Sequence, residues 1–145
     1  MSQRFIKALS VLKKIEDAAL MAIQPRFQEV CTALDRVEQD IQTIEYTVIE
    51  QRQYLQEHPE LVLSYTSYFD RMNDRKRSLL NKKIILQQEY DHVFNQLTDH
   101  VRKNKSYEHL TQTIKTRIKE EEQRLEENEI NDLVQSRHRY QKRED

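Results

Sequence analysis

Side chains able to do covalent or acid–base chemistry are few in this sequence and poorly spaced for it. The single cysteine, Cys31, has no histidine near it along the chain, and a reactive thiolate needs such a neighbour. The five histidines, at 58, 92, 100, 109 and 138, contain no HExxH and no pair three or four apart. Those are the spacings that place two metal ligands on one helix face. Carboxylates are abundant but fall in rows, as on a solvated face, rather than as an isolated pair in an apolar pocket. The chain has no glycine at all, which excludes the loops that cradle phosphates by close backbone approach. No catalytic residue, cofactor site or metal site is therefore assigned, and a non-enzymatic protein is expected.

The same composition indicates which elements the chain can build. At average usage of roughly 7 %, 145 residues would hold about ten glycines. With none, and with two prolines, few sharp turns are available and a few very long elements are expected. Charged residues make up 34 % and apolar ones 37 %, the balance of a long helix with a thin apolar stripe and a wide wet surface. Two stripes of alternating three- and four-residue steps run up to Pro59 and away from it. The first is Phe27, Val30, Leu34, Val37, Ile41, Ile44, Val48, Gln51 and Leu55. The second is Tyr65, Phe69, Met72, Lys76, Leu79, Lys83, Leu86, Tyr90, Val93 and Leu97. A 3.5-residue repeat keeps one stripe of each helix against a partner. The expected fold is all-α: one long two-helix antiparallel coiled-coil hairpin over residues 1–145, with an overhanging C-terminal helix.

In chain order, helix 1 is expected over about 2–57, with Ser2 as a candidate cap. Phe5, Leu9, Leu12, Ile15, Ala19 and Ile23 form its first stripe, widened by Ile6, Ala8 and Val11. Pro25 removes a backbone donor and clashes with the carbonyl four residues earlier. A kink at residues 21–25 is expected, a full break being the alternative. Proline also holds His58 out of helix, so the break falls at about 57–64. Helix 2 is placed at about 65–137, with restarts between Pro59 and Ser67 open, followed by a frayed tail at 138–145. Folding at residue 59 sets Phe5 opposite about residue 113, leaving the segment beyond without a partner in the chain.

Net charge is −1, from 24 basic and 25 acidic residues, so no global attraction to nucleic acid or anionic lipid is expected. Charge segregates locally. Arg71, Arg75, Lys76, Arg77, Lys82 and Lys83 form a basic patch, residues 120–129 are acidic, and residues 137–143 are basic again. Tyr46, Tyr54, Tyr65, Tyr68 and Phe69 cluster near the break; Tyr46, Tyr54 and Tyr68 lie off the stripes and suit a protein-contact patch. No apolar run approaches the roughly 18 residues of a membrane span, and one cysteine fits a reducing compartment. A soluble, cytosolic protein is expected.

Residues 5–18, FIKALSVLKKIEDA, and residues 107–137, YEHLTQTIKTRIKEEEQRLEENEINDLVQSR, are similar to the opening heptads and the C-terminal pattern of the FliJ/YscO family. These are the central-stalk proteins of flagellar and virulence type III export ATPases. The resemblance implies a stalk or adaptor that links and stimulates a hexameric export ATPase and contacts the cytoplasmic ring of the export gate, with secretion chaperones as further partners. It places Leu9, Leu12, Ile118, Leu125, Ile130 and Leu133 toward the ATPase, and Tyr46, Tyr54, Tyr68, Phe69, Met72 and Arg75 toward the gate. It implies neither nucleic-acid binding nor membrane insertion, and a location at the cytoplasmic face of a membrane export machine. The alternative expectation is a helical chaperone or a tethering subunit of a larger coiled-coil complex.

Overall fold

A computed structural model describes residues 2–144, with side chains over 3–143. The backbone is helical almost throughout, as two helices joined by a short turn. Helix α1 spans Ser2–Glu57 and α2 spans Val62–Glu144, with one 3₁₀ turn, Pro59–Leu61, between them. No described residue has a positive φ, in keeping with a chain that lacks glycine. The all-α, antiparallel two-helix hairpin expected from the paired stripes is the fold the chain adopts.

The break has a local cause. His58, ahead of a proline, sits at φ −130° and ψ 68°, outside the helical region. Its N–H donates to the Tyr54 carbonyl at 3.1 Å, closing α1, and Pro59 opens the 3₁₀ turn where its missing donor costs nothing. Leu61 N–H then donates to the His58 carbonyl at 3.1 Å. Helix α2 starts at Val62, within the Pro59–Ser67 range left open, so Ser67 lies inside it. It also runs on to Glu144 instead of ending near 137 with a frayed tail. Arginine, lysine, glutamine and glutamate are good helix formers, and no glycine or proline stops them. The expected cap at Ser2 lies outside the described side chains, as does Asp145 altogether. Helix α1 passes through Pro25 without interruption, so the alternative of a separate N-terminal helix is not found.

The chain divides into two compact units. One, Ala19–Asp99, holds the turn and the two stripes around it. Pairs across it descend along α2 as they ascend along α1: Arg26 with Glu89 at 3.7 Å, Glu38 with Lys83 at 3.6 Å, and Glu45 with Lys76 at 3.1 Å. Val30, Leu34, Val37, Ile41, Ile44 and Leu55 of α1 are buried, and Val93 of α2 has no exposed surface, 0 %. Each such side chain contributes roughly 1.5–3 kcal/mol of transfer free energy, opposed by chain entropy. Lys76 and Lys83 occupy stripe positions because their stems lie along the apolar seam while their ammonium groups reach Glu45 and Glu38. Phe27, Tyr90 and Phe94 form an aromatic cluster, with centroids 5.3–6.3 Å apart and Tyr90 stacked on Phe94 at 7°.

The second unit pairs residues 2–18 of α1 with α2 from residue 100 onward. Here the expected stripe is corrected. Leu9 is buried, but Phe5, Val11, Leu12 and Ile15 are exposed, and the residues facing α2 are Ile6, Leu9, Lys13 and Glu16. These four continue the three- and four-residue steps that end in Phe27 and Val30. The frame of the long stripe, not local hydropathy, sets which face is covered. The polar members are matched on α2. His100 Nδ1 meets Glu16 Oε2, Asn104 Nδ2 donates to Asp17 Oδ1, and Lys13 lies 4.0 Å from Glu108. A carboxylate only accepts, so the His100 ring nitrogen is the donor. Covered positions on α2 end at Ile118; from 119 to 143 every side chain is exposed.

Candidate functional site

No candidate for chemistry emerges from the geometry. Among the described residues, no group of three or more histidine, cysteine, aspartate or glutamate side chains is placed to hold a metal ion. Cys31 is half-buried beside the seam. A shallow groove beside Pro25, lined by Met21, Gln24, Phe27, Gln28 and Leu97, contains no titratable side chain. The surfaces expected to contact partners are faces of helix, defined by what they leave uncovered.

Near the turn, the residues expected to contact a partner divide into two sets. Tyr46, at 64 % exposed, Tyr54 and Arg75 are open to solvent. Tyr68, Phe69 and Met72 are half-buried. Tyr68, expected to be free, packs edge-on against both Tyr65 and Phe69, with centroids 6.0 and 5.7 Å away. This follows from helix spacing, since residues 65, 68 and 69 share one face of α2. The Tyr54 ring lies tilted against that of His58, with centroids 4.6 Å apart, just past the end of α1. The Tyr46 hydroxyl hydrogen-bonds the Glu50 carboxylate one turn on, which raises the phenol pKa above the ordinary 10.0. Among the described residues Leu63, at 90 %, is the most exposed large apolar side chain, within one helical turn of Tyr65 along the chain. Its apolar character was visible in the sequence, but its outward direction was not. The basic patch is smaller than its composition implies, because Lys76 and Lys83 are engaged with α1.

The other six expected contact residues lie in the second unit. Leu9 faces the seam and is covered, which removes it as a docking contact. Ile118 is half-buried where the seam ends. Leu12, Leu125, Ile130 and Leu133 are exposed. The sequence reading missed that Phe5, Val11, Leu12 and Ile15 together form an uncovered apolar face on the first turns of α1. Following the strict stripe backwards from Phe27 through Ile23 and Leu20 would have found it, because those four residues fall off that frame. No family model, curated protein or solved structure matches this chain.

Proposed function

We propose that this protein is a non-enzymatic helical adaptor that docks onto a larger protein through the apolar face of Phe5, Val11, Leu12 and Ile15. The observation that carries the reading is that face itself: four large apolar side chains, all exposed, on a helix whose seam is satisfied elsewhere. Monomeric proteins rarely leave contiguous apolar surface open unless something binds there. The resemblance to the FliJ/YscO family supplies the finer proposal. The partner is then a hexameric export ATPase, linked and stimulated by this stalk at the cytoplasmic face of a membrane export machine. Leu125, Ile130 and Leu133 add to the ATPase side, and Tyr46, Tyr54 and Arg75 present the surface offered to the export gate, with chaperones as further cargo. Among the described residues no helix is long and apolar enough to cross a membrane, which fits a peripheral role.

The test is hydrolysis by the cognate hexameric ATPase with substoichiometric amounts of the purified protein. Stimulation is expected, and Leu12→Asp with Ile15→Asp should abolish it while leaving the helical circular dichroism unchanged. Absence of both stimulation and co-purification would sink the ATPase reading.

A further inference from the structure

Beyond Ile118, α2 carries a second apolar–polar stripe that no part of the chain covers. Gln123, Glu126, Ile130, Leu133, Arg137 and Tyr140 follow alternating steps of three and four, and all six are exposed. The stripe is two residues out of phase with the intramolecular seam. Continued from Thr111, Ile114 and Ile118, that seam would pass through Glu121, Leu125 and Asn128 instead. The second stripe is thus a separate face of α2, with its own heptad frame.

We propose that this face binds a second copy of the same chain, in an antiparallel two-fold pairing centred between Ile130 and Leu133. The argument is self-complementarity. A two-fold interface requires that if residue i meets j, then j meets i. Centred there, Ile130 of each copy meets Leu133 of the other. One step outward, Glu126 meets Arg137, and beyond that Gln123 meets Tyr140. On the flank, Glu122 meets Arg143, and Val134 adds apolar edge at the centre. Every charged contact is of opposite sign and each occurs twice. The longer pattern agrees: Glu120, Glu121, Glu122, Glu126, Glu127 and Glu129 precede Ile130, Leu133 and Val134, and Arg137, Arg139, Lys142 and Arg143 follow them. Reversing the direction sets the acidic block of one copy on the basic block of the other. A parallel pairing would set Glu122 on Glu122, Glu126 on Glu126 and Arg137 on Arg137, which is repulsive. The charge order therefore selects the orientation, and the apolar centre selects the register.

This pairing goes beyond the docking proposed above and does not depend on which protein uses the Phe5–Leu12–Ile15 face. Few apolar groups meet at its centre, so the dimer is concentration-dependent. Its flanking ion pairs are exposed, so it weakens as salt shortens the screening length from about 10 Å at 0.1 M to about 3 Å at 1 M.

Sedimentation velocity of the full chain over a concentration series tests it. A reversible dimer that loosens at high salt is expected. The variants Glu122→Lys with Glu126→Lys, and Arg137→Glu with Arg143→Glu, should each raise the dissociation constant at least about tenfold, since like charges then meet. An equimolar mixture of the two variants should restore association. For the register, a Cys31→Ser background carrying Glu126→Cys should cross-link under oxidation to one carrying Arg137→Cys, and not to itself. A monomer at all concentrations, a dimer indifferent to the charge swaps, or self-cross-linking at 126 would each overturn the proposal. Ile130 and Leu133 are shared with the ATPase side proposed above. Self-association is therefore measured without ATPase, and docking is read from the stimulation lost in Leu12→Asp with Ile15→Asp.

Discussion

Glu16 of α1 and His100 of α2 meet across the helix pair at stripe positions, most of which are apolar in the other turns. Glu16 is 8 % exposed and its carboxylate accepts from the His100 ring. A buried polar group left without its partner costs roughly 1–3 kcal/mol, whereas replacing both partners by apolar groups is often neutral or stabilising. His100→Leu alone should therefore lower the unfolding free energy by about that amount. Glu16→Leu with His100→Leu should recover the loss and exceed the parent. Urea unfolding followed by far-ultraviolet circular dichroism reads both, and a double variant weaker than His100→Leu would contradict the account.

Pro25 stands in an uninterrupted helix, exposed, with its ring against the turn that precedes it. Its exposed ring adds little packing, and the position forfeits one backbone hydrogen bond. Pro25→Ala should raise stability by up to about 3 kcal/mol, seen as a higher urea midpoint at an unchanged slope. A lower midpoint would show that the proline fits a local geometry alanine cannot reproduce.

Val93 and Ile85 sit on the same helix and differ in cover: Val93 is sealed, while Ile85 is largely exposed. Truncating a sealed side chain removes transfer free energy and leaves a cavity. Val93→Ala should cost about 1–3 kcal/mol, and Ile85→Ala should stay within about 0.5 kcal/mol. Equal effects in thermal melts would argue against the described frame of α2.

The Tyr46 phenol is held above its ordinary value by the Glu50 carboxylate, first through the hydrogen bond and then through charge. The folded state favours the protonated form, so the contribution to stability is complete below pH 10 and is lost as pH rises through the raised value. Titrating tyrosinate absorbance should find one late-ionising group that disappears in Tyr46→Phe and shifts back toward the ordinary value in Glu50→Gln. Its persistence in Tyr46→Phe would assign the late ionisation to another tyrosine.

The stripes on either side of the turn were readable because each heptad position there is apolar or long-stemmed, so spacing and hydropathy agree. From Phe27 to Leu55 and from Tyr65 to Leu97, every stripe residue is buried or half-buried. Lys76 and Lys83 needed the facing glutamates before their places made sense. Residues 2–18 were misread because hydropathy and frame disagree there. Phe5, Leu12 and Ile15 look like a core stripe, yet the frame inherited from Phe27 turns Lys13 and Glu16 inward. Only His100, distant in sequence, makes an inward Glu16 tolerable. Of the candidate surfaces, exposure at Tyr46 and Tyr54 was legible from their positions off the stripe. The packing of Tyr68 was not, because it arises from neighbours on its own helix.

Helix α2 past Ile118 is held by its own backbone hydrogen bonds, and its side chains through residue 143 are exposed. An isolated helix of about two dozen residues is marginal in water, because initiation is costly and each added residue gains little. Amides in residues 119–143 should therefore exchange with solvent deuterium far sooner than those of the covered turns around Val93. Whatever binds this segment acts on a helix–coil equilibrium as well as on a surface. Its affinity then rises and falls with the intrinsic helicity of the segment, so temperature and single alanine or glycine exchanges on its far side would tune recognition without touching a contact.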